Sequence, residues 1–297
     1  MPSFRATAEE ILELNRVRHL LFGIYAWEEN GEEPYRVQEA GSGILIAQEH
    51  GLMARHVMVA FTNLDPQFEA RRRSTRGVFA RRGKSDDILK TAIPAAVYQE
   101  NEGNELVQWW PRVSWQSEDT DISVLVMKPT TAAAESRATK LKYLEWQLLP
   151  PHVGAKVRVY GWPLPQIDVR AGVHDAHVEL WMRPAIVTEH APILRAHGFH
   201  EFPGYVLDKS LPPAMSGGAV LHNGRLIGIF TGPDYVSALW PLALMRYPLR
   251  EDFFIPFAEH FDHGVIPAVD WDRVKGRAER RDCEQGDCLR KHVTLAM

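Results

Sequence analysis

The chain has 297 residues, of which 45% are hydrophobic and 24% are charged, and both values are ordinary for a globular protein. Its formal net charge of -4 gives no reason to expect binding to nucleic acid or to an acidic membrane surface. The length is enough for one large domain or for two medium ones, each with its own core.

The N-terminal residues 1–10 lack the basic region and apolar core of a secretory signal, and no apolar run approaches the roughly 20 residues that span a bilayer. The two cysteines, Cys283 and Cys288, both lie near the C-terminus, so the rest of the chain has none for disulfides. We therefore predict a cytoplasmic protein. The cysteine pair, with His292 nearby, is a weak zinc signal, and we expect neither a metal nor a cofactor.

Taken in chain order, residues 7–19 predict a helix, with Thr7 as its cap and with Glu9 and Glu10 in its first turn. Short apolar segments between close turns follow, and they are typical of an all-β sandwich or a pair of barrels. The predicted strands cover residues 21–27, 41–47, 52–57, 95–98, 105–110, 118–127, 156–163, 178–182, 185–188, 204–207, 226–230 and 235–241.

Three segments interrupt this strand pattern. Residues 71–84 are densely basic and are interpreted as a solvated loop, with a phosphate contact, a nucleic-acid contact or a proteolytic site as alternatives. Residues 130–140 are polar and lack strand alternation, which indicates a linker. The composition becomes charged and irregular from Ala258 onward.

The segment 213–220 places Ser216 before two glycines at the start of an apolar strand. An acyl-transfer site needs a hydroxyl that stands clear of its backbone and a tight bend that aims N–H groups at a developing oxyanion. A glycine-rich corner that contains a serine by chance is the simpler interpretation, because such tripeptides are common in turns. The choice depends on whether a histidine and an aspartate lie in matching contexts upstream.

Two such residues precede the serine. His56 follows the predicted strand that begins at Leu52, and Asp121 directly heads another, while Asp119 is the rival carboxylate in the preceding acidic turn. Each residue alone has an ordinary structural explanation, as a half-buried histidine or as an aspartate that caps a turn. Their order, His56, Asp121, Ser216, is one that a known catalytic triad uses.

The contexts of all three residues resemble the chymotrypsin-like (trypsin-like) serine protease family, nearer to its bacterial HtrA-like and glutamyl-endopeptidase-like branches. The matching motifs are Gly-Ser-Gly-Ile-Leu-Ile at 41–46, Ala-Arg-His-Val at 54–57, Asp-Ile-Ser-Val-Leu at 121–125, Gly-Trp-Pro at 161–163 and Met-Ser-Gly-Gly-Ala-Val at 215–220. The resemblance implies two six-stranded antiparallel barrels with a site between them. It leaves the N-terminal helix, the basic stretch and the C-terminal extension uncovered.

The resemblance also implies the domain organisation. We expect an N-terminal helix in residues 1–20, a first barrel with His56 and Asp121 in 21–130, and a linker in 131–150. A second barrel with Ser216 is expected in 151–257, and a C-terminal extension in 258–297.

By the same resemblance, the protein is a serine endopeptidase that acts on polypeptides through an acyl-enzyme. Ser216 is then the nucleophile, His56 the base and Asp121 its partner, and the N–H groups of Ala214 and Ser216 form the oxyanion hole. Ser210, Thr231 and Gly232 are expected to line the substrate pocket. An acidic residue such as Asp208 at its base would favour Lys or Arg, whereas Ser210 there would favour an uncharged side chain.

One departure from the family pattern supports an alternative. The family has glycine two residues before the serine, and Ala214 stands there, so the hole is expected to be misformed until a substrate or partner binds. Ala219 replaces a usual proline, which we take as harmless. A catalytically silent binding or scaffold module is therefore the second hypothesis. Nucleic-acid binding through residues 71–84 is the third, although we expect neither a nucleic-acid partner nor a membrane.

Overall fold

The structure is a computed structural model, and it describes residues 7–28, 36–63, 89–91, 96–102, 105–116, 120–148, 150–163, 166–170, 173–177, 180–196, 200–212, 214–244, 246–250 and 253–256. The basic stretch 71–84, Asp119, both cysteines and the extension from residue 258 lie outside these ranges. No helix in the described part of the chain is long and apolar enough to cross a bilayer.

The first half forms an antiparallel sheet of seven strands, in the order β4-β6-β5-β1-β2-β3-β7. The sheet curls, because β6 also pairs with β7. Its strands are β1 (Leu21–Glu28), β2 (Arg36–Ala47), β3 (His50–Ala54), β4 (Leu89–Thr91), β5 (Ala96–Glu102), β6 (Glu105–Gln116) and β7 (Ile122–Pro129).

The second half forms a closed six-stranded barrel, in the order β11-β12-β15-β14-β13-β8, and two small hairpins, β9 with β10 and β16 with β17. The strands are β8 (Lys156–Gly161), β9 (Gln166–Arg170), β10 (Val173–His177), β11 (Trp181–Ala196), β12 (His200–Leu207), β13 (Ala219–His222), β14 (Arg225–Phe230), β15 (Tyr235–Ala238), β16 (Arg246–Arg250) and β17 (Phe253–Pro256). The prediction of an all-β fold with two barrel-like halves is confirmed.

Four helices complete the described fold: α1 (Ala8–Val17), α2 (Arg55–Asn63), α3 (Ala132–Lys140) and α4 (Leu239–Leu244). Helix α1 begins as its sequence predicts, because the Thr7 side chain accepts a hydrogen bond from Glu10 N–H while the Glu10 carboxylate accepts one from Thr7 N–H. The hydrogen bond from Thr7 N–H is the main cause of the lowered pKa of Glu10.

Three sequence predictions of secondary structure were wrong in detail. The strand predicted over 52–57 ends at Ala54, and His56 lies in the first turn of α2. The segment 130–140 contains α3, which Thr131 caps through the N–H of Ala134. The apolar run at 235–241 was predicted as one strand, but it divides between β15 and α4. At 52–57 and 235–241 a short apolar run is compatible with either a strand or a buried helix.

The two halves share part of their hydrophobic core. A cluster centred on the first sheet extends into strands of the second barrel, whereas a separate cluster fills the inside of that barrel. The residues of the second half that join the first cluster are Tyr160, Ala219, Leu221, Leu226, Ile229, Leu239 and Leu242. Burial of this shared surface holds the halves against each other.

Helix α1 precedes the first sheet in sequence but is anchored to the second barrel. The hydroxyl of Tyr160, on β8, donates to Glu13 Oε1 at 2.6 Å, and Arg158 Nη1 lies 3.0 Å from Glu13 Oε2. Burial, and then the bond to Glu13, raise the pKa of Tyr160 well above its ordinary value, so its hydroxyl stays protonated as a donor. One carboxylate thus fastens the N-terminal helix to strand β8 of the second barrel.

We expect Glu13→Gln to lower the free energy of unfolding by about 2 kcal/mol, because an amide cannot accept charge-assisted hydrogen bonds from both partners. Tyr160→Phe should cost about 1 kcal/mol, since it removes one of the two bonds. Glu9→Gln changes an exposed glutamate of the same helix and should alter stability by less than about 0.5 kcal/mol. Urea denaturation of the three variants measures the differences. Equal stability of Glu13→Gln and Glu9→Gln would contradict this anchoring.

Candidate active site

The pairing of β3 with β7 brings His56 and Asp121 together. In this antiparallel ladder Ala54 lies opposite Ile122, so the residues that follow β3 lie beside those that precede β7. The N–H of Arg55 extends the ladder by donating to the backbone oxygen of Asp121 at 2.9 Å. His56, in the first turn of α2, therefore lies within reach of the aspartate, although the two residues are 65 positions apart in sequence.

Both carboxylate oxygens of Asp121 contact the same histidine. Asp121 Oδ1 accepts a hydrogen bond from the backbone N–H of His56 at 2.8 Å, and Oδ2 lies 2.7 Å from His56 Nδ1. A carboxylate can only accept, so the ring proton lies on Nδ1, and in the neutral imidazole Nε2 carries the lone pair. The aspartate is 8% exposed, which keeps this contact from being screened by solvent.

The loop that carries Ser216 is held by backbone hydrogen bonds. Gly217 N–H donates to Phe230 O at 2.7 Å, and Gly218 N–H donates to Met215 O at 2.9 Å. Gly217 has a φ of +93°, and a Cβ atom there would lie 1.9 Å from the backbone oxygen of Ser42. The glycine after the serine is thus required both by its backbone angle and by the space around it.

The serine loop packs against the segment that carries His56. A Cβ atom at Gly217 would lie 3.0 Å from the backbone nitrogen of Ala54. One at Gly41 would lie 2.5 Å from Val57 Cγ1 and 3.4 Å from the backbone oxygen of Ser216. Gly41 therefore lies between the residue after His56 and the serine, and it lets the two chain segments approach.

Two backbone donors of the loop are unused within the described structure. No hydrogen bond runs from the N–H of Ala214 or of Ser216 to another described residue. Buried N–H groups are almost always paired, so two neighbouring free donors at a bend are a binding feature for an anionic oxygen. These are the two groups that the sequence resemblance predicted for an oxyanion hole.

Ser42, on β2 of the first sheet, holds both of these residues by their carbonyl groups. Its N–H donates to Ser216 O at 2.8 Å, and its hydroxyl donates to Ala214 O at 3.0 Å. The same hydroxyl accepts a hydrogen bond from Trp162 N–H at 2.7 Å. Ser42 is fully buried. The first half of the fold thus fixes the loop of the second half through one residue.

Ala214 adopts the left-handed backbone conformation, with a φ of +67°. This conformation costs an alanine about 1–2 kcal/mol, because its Cβ approaches the following carbonyl oxygen. The loop therefore keeps the bend that glycine would adopt freely, and it does so in spite of the side chain. The hydrogen bond from Ser42 to the carbonyl of Ala214 is one interaction that offsets this cost.

No protein-family model and no curated protein matches the chain. Among solved structures, the chain is similar to the Rv3671c protease of M. tuberculosis in its active form, at 14% identity over 76% of this chain and 78% of that one, with a TM-score of 0.43. An inactive mutant form of that protein is 15% identical over 80% of this chain and 92% of that one, with a TM-score of 0.44. A serine endoprotease from Yersinia pestis is 14% identical over 79% of this chain and 64% of that one, with a TM-score of 0.41.

At these identities and TM-scores the similarities do not indicate a function. The strand topology itself identifies the architecture: a curled sheet and a closed six-stranded barrel that meet along a shared core. The fold is chymotrypsin-like. His56 and Asp121 belong to its first half, and Ser216 belongs to its second.

The residues predicted for the substrate pocket separate into two groups. Thr231 and Gly232 are buried beside the serine loop, and a Cβ atom at Gly232 would lie 3.3 Å from Ser216 Oγ. Ser210 is exposed. Asp208 is also exposed, and its Oδ1 accepts a hydrogen bond from Ile186 N–H at 2.8 Å. Asp208 thus caps the neighbouring strand β11.

Sequence reasoning missed two features of the site. Ser42 was part of a matching motif but received no role, because its contacts are with residues 120 and 172 positions away. Thr120, next to Asp121, contacts Ser237 of β15 through their buried hydroxyls at 3.0 Å. Isolated buried serines give no pattern that a sequence could reveal. Within the described ranges, no group of three or more His, Cys, Asp or Glu residues could hold a metal ion.

We expect Ala214→Gly to leave the free energy of unfolding unchanged or to raise it by up to about 1 kcal/mol. Removal of the Cβ relieves the left-handed strain, which offsets the greater backbone entropy that glycine loses on folding. The same change at a regular backbone position costs about 0.5–1 kcal/mol. Urea denaturation decides the sign, and a loss of about 1 kcal/mol would contradict the left-handed conformation of Ala214.

Proposed function

We propose that the protein is a serine endopeptidase that hydrolyses peptide bonds through an acyl-enzyme, with Ser216, His56 and Asp121 as its catalytic residues. The observation that carries the proposal is the double contact of Asp121 with His56, which fixes the ring with Nε2 as its basic nitrogen. The N–H groups of Ala214 and Ser216, which have no acceptor among the described residues, support it. A carboxylate that orients a histidine beside a serine loop is the arrangement that acyl transfer requires.

In the proposed reaction, His56 Nε2 takes the proton of Ser216 Oγ as the oxygen attacks the carbonyl carbon of the peptide. The carbonyl oxygen becomes an oxyanion and accepts hydrogen bonds from the N–H groups of Ala214 and Ser216. His56 then gives its proton to the leaving amine, and the C–N bond breaks to leave an ester on Ser216. Water repeats the sequence, and the ester is hydrolysed to a free carboxylate.

Asp121 acts on the histidine alone in this mechanism. It keeps the ring proton on Nδ1 and stabilises the imidazolium that forms when Nε2 becomes protonated. Its backbone contact with His56 N–H fixes the start of α2 as well as the ring. The polypeptide substrate is the partner that follows from this chemistry, and the steps need no cofactor.

The alternative is a catalytically silent module with the same fold that binds a polypeptide. The left-handed alanine at position 214 favours it, because a strained loop can change to another conformation that withdraws an N–H group. In that case the protein would bind a peptide but would not acylate Ser216.

Labelling with an alkyl fluorophosphonate separates the two functions. In the wild type we expect Ser216 Oγ to displace fluoride from phosphorus and to become covalently labelled. His56→Ala should reduce the labelling rate by about 10³-fold or more, and Ser216→Ala should abolish labelling. Intact-mass spectrometry follows the adduct, and circular dichroism confirms that each variant is folded. A folded wild type that is not labelled would overturn the proposed activity.

Ser42 is expected to act as a positioning residue for the oxyanion hole. Ser42→Ala removes the hydroxyl that holds the Ala214 carbonyl, and the labelling rate at saturating fluorophosphonate should fall by about tenfold or more, with the half-saturating concentration unchanged. Ser123→Ala is the matched control, since the buried hydroxyl of Ser123 has no hydrogen-bond partner among the described residues. Equal labelling rates for the two variants would leave Ser42 with a structural role only.

A further inference from the structure

The two segments that the sequence placed on either side of the primary pocket are hydrogen bonded to each other. Leu211 N–H donates to Pro233 O at 2.7 Å, and Leu207 N–H donates to Asp234 O at 2.8 Å. The bond of Leu207 continues the ladder between β12 and β15 beyond the last strand residues, and the bond of Leu211 joins the chain again after residues 208–210. A substrate side chain cannot pass between segments that are joined in this way.

The polar residues that could have given the pocket a charge lie outside this closure. Asp208 and Ser210 are exposed, and the Asp208 carboxylate is bonded to Ile186 N–H. Leu211, which follows them, is 8% exposed and packs in the core of the second barrel. The Asp208 carboxylate is therefore already engaged by β11, and Ser210 is open to solvent.

Gly232 has no side chain, which leaves only a narrow recess beside Ser216 Oγ, too tight for an ordinary contact with even a Cβ atom. A Cβ atom there would lie 3.3 Å from Ser216 Oγ and 3.6 Å from the nearest ring carbon of Phe230. Phe230 is fully buried, so its ring forms a fixed apolar floor. The Thr231 hydroxyl donates to the carbonyl of Tyr235 and is engaged away from the recess.

We propose that the residue on the acyl side of the scissile bond is small and uncharged, such as glycine, alanine or serine. This inference rests on the proposed acyl transfer at Ser216. A larger side chain would have to displace the Phe230 ring or break the hydrogen bond between Leu211 and Pro233. A charged side chain would also lose its hydration against an apolar floor without gaining a partner.

Peptidyl diphenyl phosphonates test the proposal, because Ser216 Oγ displaces phenoxide from a phosphorus atom that carries the acyl-side side chain. Four probes are compared that differ only in that side chain, which corresponds to alanine, phenylalanine, lysine or glutamate. We expect the alanine probe to label the wild type at least about tenfold faster than the other three. Ser216→Ala should be labelled by none of them.

Gly232→Ala tests the recess directly. The added methyl group fills the space beside Ser216 Oγ, so labelling by the alanine probe should fall by about tenfold or more, and labelling by a glycine probe should fall less. Gly154→Ala is the matched control, because Gly154 also has a positive φ of 89° but has no neighbour within 4 Å of an added Cβ. Gly232 has a φ of +61°, so both substitutions place an alanine at a positive φ, but only Gly232→Ala adds an atom near the site.

Two results would overturn the inference, and they are distinguishable. If the alkyl fluorophosphonate labels the wild type but the phenylalanine, lysine or glutamate probe reacts as fast as the alanine probe, the segments separate when substrate binds, and the specificity is wrong while the activity stands. If neither the fluorophosphonate nor any peptidyl phosphonate labels the folded protein, the proposed function fails and the inference fails with it.

Discussion

The candidate site depends on hydrogen bonds between two halves of the fold that lie on separate sheets. His56 and Asp121 come from the first half, and Ser216 comes from the loop before β13 of the second half. Nonpolar burial holds the halves together but does not direct any group, whereas a hydrogen bond fixes both distance and orientation. Ser42 supplies the directed contacts, because it is bonded to the carbonyls of both Ala214 and Ser216.

This arrangement explains the density of glycines at the interface. Gly41 and Gly217 lie where a Cβ atom would meet Val57 or Ser42 at 2.5 Å or less. Ser42 can reach the serine loop only if both positions lack side chains. Gly41, beside Ser42, and Gly217, beside Ser216, therefore allow the same close contact between β2 and the serine loop. The three motifs that appear separate in the sequence meet at one point in the structure.

The sequence predicted the all-β class, the two halves and the chain order of the candidate residues, because strand periodicity and glycine motifs are local signals. It placed His56 at the end of a strand, since no local signal separates a buried strand end from the first turn of a helix. It also assigned Asp208 and Ser210 to the pocket. Both residues are exposed, and the Asp208 carboxylate accepts a hydrogen bond from Ile186 N–H of the distant strand β11, a contact that no local pattern encodes.

Ala214 connects the question of activity with the question of specificity. Its left-handed backbone is a local cost, and the contact with Ser42 is a long-range gain that offsets it. The same strain bears on activity, because a loop that Ser42 did not hold could relax and withdraw the Ala214 N–H group. The absence of a side chain at Gly232 matters at the same place, since a Cβ atom there would lie 3.3 Å from Ser216 Oγ. Backbone strain at Ala214 and close packing at Gly232 thus meet at Ser216, so a change at either position should alter the geometry of the candidate site.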